Sequence, residues 1–137
     1  MQRRSFVLGL SMMTFLRAAP AVASPPFLEY SPGVIERALA DGKTVFVDYS
    51  ATWCTTCKAQ ERVILGLIEQ NPAYVQSMFF VRVDWDDYGN QPVARDRKIP
   101  RRSTLLVLRG DRELGRIVAG TSEADIKALL DKGLSAA

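Results

Sequence analysis

Apolar residues recur along this chain at two spacings, and the alternation between them predicts its elements. Val34, Ile35, Ala38 and Leu39 follow one face of a helix, opened by Ser31-Pro32 as N-cap and first-turn proline and closed by Asp41-Gly42. Thr44-Val45-Phe46-Val47-Asp48-Tyr49 is instead β-branched or aromatic at nearly every position, which predicts a central strand buried on both faces. Helical spacing returns at Ala59, Val63, Ile64, Leu67 and Ile68 and stops near Asn71-Pro72, with a further turn of helix over 74–77. Phe79 to Asp84 reads as a strand, 86–90 as a loop and Val93 to Lys98 as a short helix. Thr104 to Leu108 and Glu113 to Ala119 form a hairpin about Gly110-Asp111, and Thr121-Ser122 caps a last helix that buries Ile126, Leu129 and Leu130. With an extended lead-in over 24–30, the order α-β-α-β-α-β-β-α predicts an α/β fold, a mixed central sheet flanked by helices.

The first residues follow a different rule. Gln2-Arg3-Arg4 is a basic start, Ser5 to Leu16 an apolar run too short to cross a bilayer, and Ala21-x-Ala23 a small-residue cleavage pattern. Residues 1–23 are therefore expected to be a cleavable signal peptide, with 24–137 as one mature domain. Arg3-Arg4-Ser5-Phe6 also resembles the twin-arginine export signal, so either export route, Sec or Tat, fits. Export would place the mature chain in a bacterial periplasm, an oxidising compartment where a disulfide persists.

Removing the leader changes the charge. The whole chain holds 18 Lys+Arg and 15 Asp+Glu, but Arg3, Arg4 and Arg17 leave with the leader, so the mature domain is neutral. Its composition gives no footprint for nucleic acid. No other apolar run approaches membrane-spanning length. The chain has no histidine, which excludes a Cys-His pair, a Ser-His-Asp triad and a Cys/His zinc site within one chain.

Both cysteines lie in Trp53-Cys54-Thr55-Thr56-Cys57-Lys58. The helix after the motif begins near Cys54, where free amides and the helix dipole favour an anion and lower a thiol pKa. Cys57 follows one turn later, within reach to resolve a mixed disulfide, and Lys58 adds positive charge. A structural staple would constrain little, since so short a loop is worth roughly 2 kcal/mol. A metal or iron–sulfur cluster would need two chains, each giving two thiolates. The redox reading is favoured, with the dimeric metal-binding protein as its alternative.

The segment Asp48-Tyr49-Ser50-Ala51-Thr52-Trp53-Cys54-Thr55-Thr56-Cys57-Lys58 resembles the active-site stretch of the thioredoxin family. Within that family it most resembles the C-terminal domain of the membrane disulfide reductase DsbD and its small exported relatives. The likeness runs from about Val34 to Leu134. It implies a thioredoxin fold and a thiol:disulfide oxidoreductase without a cofactor, acting on protein disulfides or thiols. It further implies Cys54 as nucleophile, Cys57 as resolving thiol, Asp48 as a buried acid that moves the second proton, and Trp53 as a shield for the disulfide.

One family feature is missing. The family places a cis-proline opposite the cysteines, and here either Ser103 or Pro100 of Ile99-Pro100-Arg101-Arg102-Ser103-Thr104-Leu105 falls at that position. The alignment through Thr104-Leu105-Leu106 is preferred and selects Ser103, with a trans bond before it. A more open, more polar groove is then expected, with thiols more accessible to metal. Arg101 and Arg102 should flank the site as exposed charges, able to attract acidic partners. Lacking the Pro-His pair of strongly oxidising members, the protein is expected to be a reductant or electron relay, recharged by a membrane reductase of the DsbD type.

Overall fold

The computed structural model describes residues 26–137; the expected leader and its cleavage point lie outside the described residues. Its central strand is β2 (Thr44–Ser50), in which Val45, Phe46, Val47 and Tyr49 are fully buried. Each such side chain contributes roughly 1.5–3 kcal/mol by leaving water, so this strand is the anchor of the domain. Around it the order is β1 (Leu28–Glu29), α1 (Val34–Ala40), β2, α2 (Thr55–Gln70), α3 (Ala73–Ser77) and β3 (Met78–Asp84). The short α4 (Trp85–Tyr88) and α5 (Pro92–Arg95) follow, then β4 (Thr104–Arg109), β5 (Arg112–Val118) and α6 (Glu123–Ala136).

The five strands lie in the order β1-β3-β2-β4-β5. β3 runs parallel to β2, as the α2–α3 crossover requires, whereas β4 and β5 are antiparallel neighbours joined at Gly110, whose φ of 58° suits glycine. Because strand side chains alternate, β2 feeds two cores. Val45, Val47 and Tyr49 pack with Ile35, Val83 and Val93 on one face. Phe46 packs with Ile64 and Leu67 of α2 and with Ile126 and Leu130 of α6 on the other. Asp48 shares Phe46's side of the strand and therefore lies on the face that α2 covers.

Four expectations change. The lead-in supplies a two-residue edge strand, β1, held parallel to β3. α1 starts at Val34 behind Gly33 (φ 85°) with no side-chain cap, because Ser31 and Pro32 form a turn ahead of it. Residues 86–88 of the expected loop are helical as part of Trp85–Tyr88, since the Asp84 carboxylate accepts from the amides of Asp86 and Asp87 and caps a turn. The short helix expected over 93–98 is instead Pro92–Arg95.

Candidate redox site

α2 carries the two cysteines at its start because Cys54 is its N-cap. The cap backbone is extended (φ −84°, ψ 114°), and the Cys54 sulfur accepts the Cys57 amide hydrogen at 3.2 Å. No acidic side chain lies in the first turn of this 16-residue helix, so nothing opposes its positive end. A thiolate formed at Cys54 is therefore stabilised by an amide and by the dipole. Cys54 and Cys57 are joined as a disulfide, with their Cα atoms 5.3 Å apart. Both are nearly covered, at 3% and 2% exposure, among Ala51 and Trp85.

What covers them is the loop before β4. Ser103 is fully buried, with its Oγ 3.2 Å from the Cys54 sulfur and 3.0 Å from the Cys57 sulfur. Pro100 is exposed, and the described residues contain no cis peptide bond. Ser103, not Pro100, faces the sulfurs. It does so from a left-handed backbone (φ 62°), a conformation costing an L-residue roughly 1–2 kcal/mol. Long-range bonds hold it there: its N–H donates to the Tyr49 carbonyl at 2.7 Å, and its carbonyl accepts from the Ala119 amide at 2.8 Å and Gln60 Nε2 at 3.0 Å. The expected polar contact exists, but the expected openness does not. These bonds draw the loop onto the disulfide and leave the sulfurs buried.

Trp53 is 55% exposed, so it is not a core tryptophan. Its indole N–H is shared between the Asp86 carboxylate oxygens at 2.9 and 3.2 Å, and the Arg102 guanidinium stacks 4.3 Å from its ring centre. Arg102 thus flanks the site through Trp53. Arg101 folds back on its own loop, its Nε donating to the Arg102 carbonyl at 3.1 Å. Both arginines are half-buried, which corrects the expectation of freely exposed charges.

Asp48 is 1% exposed and neither oxygen has a hydrogen-bond partner; Arg82 Nε, its cross-strand neighbour on β3, is 3.7 Å away. That guanidinium turns its Nη2 to Glu61 of α2 at 2.9 Å. Burial consequently dominates and raises the Asp48 pKa from 3.8 to about 7, with Arg82 pulling it down and Glu61 pushing it up. A cleft lined by Ser50, Ala51, Thr52, Lys58, Glu61 and Arg82 opens beside this ion pair.

Gln60, Glu61, Arg82 and Asp86 escaped the reading of the sequence. Gln60 had a signal. The fully buried stripe of α2 is Cys57, Gln60, Ile64 and Leu67, a helical spacing interrupted by one amide. Its Nε2 bridges the Ser103 and Gly120 carbonyls. Arg82 had one too, as a cation between Val81 and Val83 in an otherwise apolar strand. Asp86 had none, since its partner Trp53 is 33 residues distant.

A vicinal disulfide-forming pair at a helix start, facing a loop on a mixed five-stranded sheet, defines a dithiol–disulfide exchange site. Residues 30–132 match the thioredoxin family model. Thioredoxin-1 of Saccharomyces cerevisiae is 35% identical over 92 residues, covering 67% of this chain and 82% of its own length. The disulfide interchange protein DsbD of Pseudomonas fluorescens is 28% identical over 120 residues, 84% of this chain but 19% of that much longer protein. Among solved structures, Trxlp of Edwardsiella tarda is 31% identical, superposes with a TM-score of 0.60 and covers 74% of this chain and 96% of its own. This chain belongs to the thioredoxin family. It has the thioredoxin fold and is a thiol:disulfide oxidoreductase acting on thiol or disulfide substrates through Cys54 and Cys57.

Proposed function

We propose that this oxidoreductase is exported to the periplasm and works there as a reductant or electron relay, recharged by a membrane reductase of the DsbD type. The leader pattern of residues 1–23 supports export. Likeness to DsbD over 84% of the chain, with Thr55-Thr56 between the cysteines where strong oxidants carry Pro-His, supports the reductive direction. The observation that carries the site assignment is the Cys54 sulfur as N-cap of α2, accepting the Cys57 amide.

In the reductive direction the Cys54 thiolate attacks a substrate disulfide. One substrate sulfur becomes bonded to Cys54, and the other leaves as a thiolate that takes up a proton. Cys57 then loses its proton and attacks the Cys54 sulfur, expelling the second substrate thiolate. Two electrons have moved to substrate, and the Cys54–Cys57 disulfide remains. The thioredoxin resemblance assigns Asp48 the Cys57 proton, and burial that raises its pKa to about 7 lets it exchange a proton at neutral pH. Trp53, Arg101 and Arg102 shape the surface that meets the substrate, with Ser103 buried beneath them against the sulfurs.

Redox equilibrium with glutathione tests the direction. A potential near thioredoxin's, about −270 mV, is expected; one near that of a strong oxidant, about −120 mV, refutes a reductive role. Recovery of a leaderless protein from the periplasmic fraction tests export, and retention of the full chain in the cytoplasm counts against it.

A further inference from the structure

The Ser103 hydroxyl has no hydrogen-bond partner among the described residues except the two sulfurs. A fully buried hydroxyl needs partners, and a disulfide sulfur is a poor acceptor. Reduction changes what it meets. A thiolate is a strong, charged acceptor, and a thiol is a weak donor. With Oγ 3.2 Å from the Cys54 sulfur and 3.0 Å from the Cys57 sulfur, one hydroxyl can donate to Cys54 and accept from Cys57 together.

We infer that Ser103 is a catalytic residue of this couple: in the reduced protein its hydroxyl donates to the Cys54 thiolate and accepts the Cys57 S–H. Its position supports that role. The Ser103 amide is bound to Tyr49, and its carbonyl to Ala119 and Gln60, so the backbone that carries the hydroxyl cannot move away from the sulfurs without breaking three hydrogen bonds. A ring in its place would give the sulfurs no donor. The hydroxyl stabilises the reduced, half-ionised pair over the disulfide, lowering the Cys54 pKa and making the protein easier to keep reduced. Gln60 is a positioning residue for the same contact, since it acts through the Ser103 carbonyl. By stabilising the reduced form the hydroxyl raises the potential and so tempers the reducing power proposed above; the inference rests on that reading only for the direction of electron flow.

The test is removal of the hydroxyl while its backbone bonds stay. Ser103→Gly accepts φ 62° without strain, and Ser103→Ala repeats the deletion with a methyl group present. A hydrogen bond to a charged sulfur should be worth about one pKa unit. The pH profile of Cys54 alkylation should therefore shift up by about one unit in both variants. The dithiol–disulfide equilibrium against glutathione should fall about tenfold, or about 30 mV for two electrons. Wild-type alkylation and potential in a folded variant would overturn the inference. In the unmutated protein, the Ser103 hydroxyl proton should exchange slowly in the reduced state, and free exchange there would overturn it as well. A wild-type potential near −120 mV would sink the relay reading while leaving the Ser103 effect measurable, so the two failures are distinguishable.

Discussion

The two sides of the disulfide are built by opposite means. On one side the start of α2 is locally relaxed: an extended cap, a sulfur taking an amide hydrogen three residues on, and a 16-residue helix behind it. On the other side Ser103 and Ala119 both sit in left-handed backbone, joined to each other and held by Tyr49 and Gln60 across the fold. Local chemistry makes the first side, while the second exists only because distant groups oppose its strain. Reactivity should therefore follow the helix, and tuning should follow the loop.

The largest effect belongs to the helix side. Cys54→Ser should abolish disulfide reduction, and Cys57→Ser should accumulate a mixed disulfide with substrate, visible as a thiol-sensitive band shift on non-reducing gels. Trapping through Cys57 in a Cys54→Ser protein would reverse the roles. On the loop side, Ser103→Pro cannot keep φ 62° or the N–H bond to Tyr49, and should cost about 3 kcal/mol by denaturant unfolding. Unchanged stability would mean that the loop can rebuild around the ring.

Asp48 offers an effect of similar size and opposite sign. Its pKa is 3.8 unperturbed and about 7 when folded, so the folded state binds this proton more tightly than the unfolded one. Stability from this group consequently falls as pH rises from about 4 to about 7 and stays lost above. Asp48→Asn should remove that slope and stabilise the protein at pH 8 by about 4 kcal/mol, while slowing resolution by Cys57 and flattening the pH dependence of turnover. Identical unfolding curves at pH 5 and pH 8 in the wild type would deny the buried charge.

Smaller effects lie at the rim. Arg101→Glu with Arg102→Glu should slow encounter with an acidic partner, most at low salt. Loss of the Arg102 stack on Trp53 should cost only about 0.5–1 kcal/mol. A rate loss indifferent to ionic strength would count against steering. Least of all, Ala119→Gly should relieve left-handed strain and raise stability by about 0.5 kcal/mol, the steric gain being partly cancelled by glycine's entropy. A loss of stability there would show that the Ala119 methyl group contributes more by packing than its backbone loses to strain.

What the sequence by itself determined is whatever rests on periodicity and near neighbours. The apolar run of β2, the helical stripe of α2, the Gly110 turn and the Ser122 cap all announce themselves within a few residues, as does the pairing of Cys54 with Cys57 at a helix start. The pattern was blind to β1, which is a strand only because β3 offers an edge to pair with. It misjudged the Ser103 loop for a related reason. A serine between Arg102 and Thr104 looks polar and open, yet bonds to Tyr49, Gln60 and Ala119, from 16 to 54 residues away, seal it against the sulfurs. Likewise, nothing near Asp48 in the chain reveals that its neighbouring cation is Arg82, or that Arg82 is already engaged by Glu61. Local preferences act over one or two turns of chain, but desolvation and strain depend on everything packed against a group, so the elements were legible early and the tuning of the site was decided only by the folded whole.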